Sequence, residues 1–198
     1  MRISRGWFSG IAVLLFVVGA ASVASGAAVS VRWDIIRLDP FPDPTTALAG
    51  GVASALAQDG SSIVLHGSGT FVAPGGGGGT SGAVTGGGTW ETFDTDGTTS
   101  TGSGSYLVTG LVRWDAAPGT FPLIDGIGNA ADASSGLAVL RIAYDDGSLG
   151  TLVVSCHLPA GGTPDSIFEG VRASKGYVDY WNGTPPVGNT NRTVFHVQ

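Results

Sequence analysis

Ser105-Tyr106-Leu107-Val108-Thr109-Gly110-Leu111-Val112-Arg113-Trp114-Asp115 alternates apolar and polar side chains. Tyr106, Val108, Val112 and Trp114 share one face, and Ser105, Thr109, Arg113 and Asp115 share the other. Only Leu107 and Leu111 break the pattern. Successive side chains of a strand point to opposite sides of a sheet, so this period of two predicts a half-buried antiparallel strand. A second stretch sets Leu152, Val154, Cys156 and Leu158 against Thr151, Ser155 and His157, interrupted by Val153. It directs Cys156 toward a core and His157 away from it.

Working outward, strands are expected at 29–38, 62–72, 87–94, 136–144, 167–181 and 193–197, the 167–181 run bending or breaking near Lys175-Gly176. Asp59-Gly60, Asp96-Gly97 and Asp146-Gly147 fall between such runs. Each is a hairpin signal, because glycine, and tolerably aspartate, accept positive φ. In 47–58, Leu48, Val52 and Leu56 have helical spacing. Gly50-Gly51 would cost a helix about 2 kcal/mol, and a strand over 51–58 turning at Asp59-Gly60 is the better reading. Val31-Arg32-Trp33-Asp34 recurs as Val112-Arg113-Trp114-Asp115 without flanking similarity, as two strands solving the same problem.

Composition agrees. Glycine is abundant at 34 residues and methionine occurs once, while lysine and glutamate are scarce, which suits strands and tight turns and not exposed helices. The loops, 39–46, 74–82, 116–122, 159–165 and 183–190, punctuate one domain. The expected fold is all-β, a single antiparallel domain of about eight strands over 28–198. A closed barrel is favoured over a two-sheet sandwich because closure removes exposed strand edges.

Arg2 and Arg5 precede an uninterrupted apolar run at 11–21, followed by small residues that offer cleavage after Ala24 or Ala27. This is the pattern of a signal peptide over 1–27. An uncleaved anchor is the alternative, but the strongly apolar residues stop at Val18, short of the ~20 that span a bilayer. A secreted protein, extracellular, periplasmic or at the cell surface, is expected, without membrane association after cleavage. Losing Arg2 and Arg5 takes the formal charge from −6 to −8. Such an acidic chain, with Lys175 and scattered arginines as its only cations, is not expected to bind nucleic acid, which requires clustered basic surface. Cys156 is the only cysteine, so one chain can form neither a disulfide nor a thiolate cluster. Stability must come from the core.

Several constellations could carry chemistry. The glycine run after Pro74 leads into another strand and lacks the helix N-terminus of a phosphate loop. His66, His157 and His196 lie on separate strands and could converge as a metal site, but their spacing offers no local support. Glu91 and Glu169 are the only glutamates, each beside aromatic residues. A carboxylate pair flanked by sugar-stacking rings is what glycoside hydrolysis needs. Cys156 and His157 are strand neighbours on opposite faces and cannot form a nucleophile-base pair directly. Asn182-Gly183-Thr184 and Asn191-Arg192-Thr193 match the glycosylation sequon. Finally, Tyr177, Asp179 and Trp181 share one face of a strand and Val178 and Tyr180 the other. One set belongs to the core, and the other could stack on a sugar or an apolar ligand.

No cofactor motif is present. The expectation is non-catalytic binding of a small apolar or carbohydrate ligand, with Tyr177, Asp179, Tyr180 and Trp181 as candidate ligand residues. The alternative is a secreted enzyme, either a carboxylate-dependent glycosidase or a small barrel cyclase.

Overall fold

A computed structural model describes residues 27–75 and 79–198. Residues 1–26, on which the signal-peptide reading falls, and 76–78 of the glycine run lie outside them. The described chain is all-β, with one sheet of thirteen strands. These are β1 (Val29–Asp39), β2 (Thr46–Ala49), β3 (Ala53–Leu56), β4 (Ser62–Ala73), β5 (Val84–Phe93), β6 (Ser100–Ala117), β7 (Ile124–Asp125), β8 (Ala133–Tyr144), β9 (Leu149–Cys156), β10 (Gly170–Lys175), β11 (Val178–Tyr180), β12 (Asn182–Gly183) and β13 (Thr193–Val197). Among the described residues the only helical element is one 3-10 turn, Ala130–Asp132.

The expected count of about eight strands is corrected. Eight strands have five or more residues; of the shorter ones, β3 falls in the expected 51–58 strand and β11 in the 167–181 run, while β2, β7 and β12 are additions too short to show a period. The antiparallel reading holds for every strand pair except β2 with β7, which is parallel.

The long strands follow one another as β9-β8-β6-β5-β4-β1, and β13 pairs with both β1 and β8. The three Asp-Gly pairs close the β3–β4, β5–β6 and β8–β9 hairpins. Each glycine supplies the positive φ. Each aspartate side chain accepts an N–H two residues on, from Ser61, Thr98 and Ser148, as Asx turns do. Gly51 has a different reason. A Cβ there would lie 1.9 Å from the Ile36 carbonyl oxygen, so only glycine lets the chain donate its N–H to Ile35 O at 3.0 Å.

The two Val-Arg-Trp-Asp runs match in their Trp and Arg-Asp positions but not in their valines, since Val31 is a core residue and Val112 is half-buried. Trp33 and Trp114 are buried in the main core, where Trp114 meets Phe195 and Phe71 edge-on, with ring centroids 4.6 and 5.5 Å apart. On the opposite face, Arg32 pairs with Asp34 and Arg113 with Asp115, because residues two apart on a strand lie side by side.

In β6 the expected core set is corrected at one position. Leu111, not Val112, is buried beside Tyr106, Val108 and Trp114, and Val112 is half-buried. Thr109 and Val112 have no partner in β8. Each is the extra residue of a β-bulge, and the two bulges shift the inward phase by one residue and then restore it. Leu107 is exposed at 67%.

Strands β1, β9 and β13 are buried on both faces, β13 throughout Thr193 to His196. In β9, Val153 and Ser155 are buried as well as Leu152, Val154 and Cys156, so the half-buried expectation is corrected. Segment 159–169 and β13 cover its outer side: Ser155 Oγ donates to Phe168 O at 2.7 Å, and Thr193 Oγ1 donates to Ser155 O at 2.6 Å. In β1, Val31, Trp33 and Ile35 face the main core, while Ile36 and Leu38 join Ala47 and Val194 in a second, smaller cluster. Phe121, Leu123, Ile127 and Ala133 pack on that cluster. Segment 118–132 thus forms a strap over β1 and β13.

The 167–181 run divides near Lys175-Gly176 as expected, into β10 and β11 joined by a hairpin. Residues 167–169 lie outside the strand.

Candidate functional site

The strap leaves a cleft along its margin. Its apolar wall is formed by Ile36 and Leu38 of β1, Phe121 and Leu123 of the strap, and Leu158 just beyond β9; His157, Glu169, Arg192 and Thr193 supply its polar groups, and its volume is about 90 Å³. A mainly apolar concavity with a few convergent polar groups is the general form of a small-molecule site.

Glu169 sits where β9 and β10 have stopped pairing, after the Gly170–Ser155 position. The backbone N–H of His157 therefore lacks a strand partner, and Glu169 Oε2 accepts it at 2.5 Å. Oε1 accepts the Thr193 N–H at 2.6 Å. The carboxyl group thus ties the end of β9 to the start of β13. Burial pushes it up to about 7, although the His157 and Thr193 N–H groups, the Thr193 hydroxyl and the Arg192 charge all favour the ionised form. Desolvation dominates because the two amides do not replace the full hydration of a carboxylate. A carboxyl group titrating near neutral pH in a cleft is a functional-site signature.

Glu169 also lines a second cleft with Phe168, Arg172, Gly183, Thr184 and two prolines, so it stands between the two. The Arg172 guanidinium lies over the Phe168 ring, 4.3 Å from its centroid. Its Nε is buried without a hydrogen-bond partner.

Glu91 lies elsewhere. It lines a cleft with Val64, His66, Thr89, Trp90, Ser103 and Gly104, which Glu169 does not enter. Among the described residues, no group of three or more His, Cys, Asp or Glu side chains is gathered to hold a metal. The three histidines have separate partners: His66 Nδ1 with Gly51 O at 2.7 Å, His157 Nδ1 with Ile167 O at 2.9 Å, and His196 Nε2 with Asp125 Oδ2 at 2.6 Å.

The aromatic segment divides as its alternation implies. Tyr180 is a core residue, 5% exposed, with Val178 packed beside it. Tyr177 at the hairpin tip is 98% exposed, Trp181 is 43% exposed and Asp179 is exposed. None of the four lines the clefts that Glu169 borders. Of the two sequon asparagines, Asn182 is exposed in β12. Asn191 is buried, with its Oδ1 accepting the Ser54 N–H at 2.6 Å.

Cys156 is fully buried. Burial first, and then the Glu169 charge, push its thiol well above the ordinary value, which leaves it without thiolate character.

Sequence reasoning missed a buried polar network beneath the strap. Arg32 donates to both oxygens of Asp34, at 2.7 and 3.0 Å. Burial raises the Asp34 carboxyl above its ordinary value although Arg32 opposes this. Nearby, Asp125 Oδ1 accepts the Ile127 and Gly128 N–H groups at 2.9 Å each, and Oδ2 takes His196. Burial would raise Asp125, but these partners outweigh it and hold the carboxyl below its ordinary value. The network anchors the strap that walls the cleft. The one signal for it was the run Phe121, Leu123, Ile124 and Ile127 in a stretch with no strand assignment, too apolar for a free loop.

No family model matches this chain, and no curated protein or solved structure matches it either. The class of protein is therefore defined by its own geometry: a disulfide-free all-β domain with a small, largely apolar cleft bordered by a half-buried carboxyl group.

Proposed function

We propose that this is an exported, non-catalytic binding protein that holds a small, mainly apolar ligand in the cleft beside Glu169. The observation that carries the reading is the cleft's composition: five aliphatic and aromatic side chains from three separate segments meet the polar group formed by His157, Glu169, Arg192 and Thr193. Burying even a four-carbon body against such a wall is favourable at about 0.8 kcal/mol per methylene. A closed barrel is part of this proposal. Its support is the double pairing of β13, along β1 from Val31 to Ile35 and with β8 at Ser134 and Ala133. Closure would give the cleft a rigid base.

The binding reading is preferred over a carboxylate-dependent hydrolase because Glu91 and Glu169 border separate clefts and both Glu169 oxygens are occupied by backbone N–H groups. It is preferred over sugar stacking on the aromatic segment because the outer set, Tyr177, Asp179 and Trp181, is exposed and lines none of the clefts described above. The test is an amide-resolved NMR titration with isobutanol. Saturable shifts at Leu158, Thr193 and Leu38, abolished in Leu123→Trp, support the reading. Shifts that never saturate, or that persist in the filled variant, refute it.

A further inference from the structure

We infer that the Glu169 cleft is built for a small carboxylic acid, its apolar body against Ile36, Leu38 and Leu158 and its carboxylate on the Arg192 guanidinium. The inference rests on the binding reading above and adds the chemistry of the ligand's polar end.

The distribution of cations points to it. Aspartate and glutamate outnumber lysine and arginine by fifteen to nine, so a guanidinium should find a carboxylate easily. Arg32, Arg37, Arg113 and Lys175 each pair with an aspartate. Arg192 and Arg172, which border the two clefts meeting at Glu169, take part in no ion pair among the described residues. Arg141 is also unpaired, but it lies in a different cleft with Leu149.

The Arg192 charge acts on Glu169, but the Glu169 oxygens are already held by the His157 and Thr193 N–H groups. The only hydrogen bond from the Arg192 side chain among the described residues runs from Nε to Gly188 O, a long 3.3 Å. The two terminal nitrogens keep the planar fork that matches a carboxylate.

Size and shape narrow the class. The cleft, at about 90 Å³, is smaller than the ~150 Å³ cavity that admits benzene. An acid with a body of about four carbons fits this limit. An inorganic anion would satisfy Arg192 but leave the apolar wall uncovered.

The charged and titratable groups around Glu169 are Arg192 and Arg172 on its flanks, His157 beyond β9 and Cys156 behind it. Below about pH 7 the Glu169 carboxyl carries its proton and adds no repulsion to an incoming carboxylate. Above that pH it does, so binding should weaken as the pH rises.

The test is an NMR and calorimetric titration of the full chain with isovalerate, isovaleramide and inorganic phosphate at pH 6 and pH 8. Isovalerate should saturate shifts at Leu158 and Thr193 at pH 6, at least tenfold more tightly than the amide. Binding should weaken severalfold at pH 8, and Arg192→Gln should erase the preference for acid over amide. Arg192→Lys, which keeps the charge, should retain part of it and controls for folding. Equal affinity for acid and amide overturns the inference while leaving the apolar cleft standing. Phosphate saturating the same shifts as tightly as isovalerate overturns it as well. No binding by acid or amide removes both readings.

Discussion

Raising the pH from 4.5 to 8 should destabilise this protein through Glu169 alone by about 3 kcal/mol. The folded carboxyl titrates at about 7 against an ordinary value of 4.5, and each unit of difference is worth about 1.4 kcal/mol. The folded state binds the proton more tightly, so the contribution is fully present below about pH 4.5 and is lost as the pH rises through 7. The depressed aspartates Asp96 and Asp146, which titrate at about 2, act in the opposite sense but only at lower pH, outside this window. The perturbation is Glu169→Gln. Its amide can accept one of the two N–H groups that the carboxylate takes from His157 and Thr193, but it faces the other with a donor. That mismatch costs about 1 to 3 kcal/mol and does not vary with pH. Urea unfolding of both proteins at half-unit steps, plotted as the difference in unfolding free energy, separates the offset from the slope. The wild type should lose its advantage progressively between pH 4.5 and 7, with a total change near 3 kcal/mol. A flat difference curve, or one in which the wild type gains on the variant with rising pH, would show that Glu169 is well solvated and that the cleft geometry is wrong.

Other expectations follow from burial. Tyr180→Ala should cost about 3 to 5 kcal/mol, while Tyr177→Ala, at a 98% exposed hairpin tip, should change stability by less than about 0.5 kcal/mol; equal losses in thermal unfolding would reverse the assigned faces. Leu111→Ala should cost about 2 to 5 kcal/mol and Val112→Ala clearly less, and the opposite order would remove the two bulges from β6. Cys156 should react with a thiol reagent only at the rate of global unfolding, and rapid labelling of the native protein contradicts its burial. Asp125→Ala should lose about 1 to 3 kcal/mol, because it leaves the buried His196 Nε2 without its partner, and should raise amide exchange at Ile127 and Gly128 first; unchanged exchange there would mean that the strap is held by something else.

Much of the strand pattern was legible because these strands have one wet face and bounded turns. The Asp-Gly pairs and the alternation in 105–115 reflect local geometry, and local geometry is written locally. What escaped was non-local. Nothing in the period marks Thr109 and Val112 as inserted residues, since a bulge is defined by the partner strand. Strands β2, β7 and β12 exist because neighbours pair with them, as Ile36 to Asp39 do with Thr46 to Ala49. Glu169 stood out as one of two glutamates, but its pairing with the amides of His157 and Thr193 joins positions 24 or fewer residues away through folding alone. Arg192 and the wall of Ile36, Leu38, Phe121 and Leu123 come from distant segments. No spacing connects them.

The double attachment of β13 bears on how the molecule is made. Val197 lies opposite Val31, and Phe195 opposite both Trp33 and Ser134, so residues made after β1 and β8 complete pairings whose other halves have already emerged. Until they arrive, β1 presents an open edge along Val31 to Ile35 that can recruit another chain, and pairings this remote in sequence form slowly. The interval between synthesis and completion is therefore when this chain most needs shielding, and a product lacking Thr193 to Val197 would be exposed to self-association for its whole lifetime.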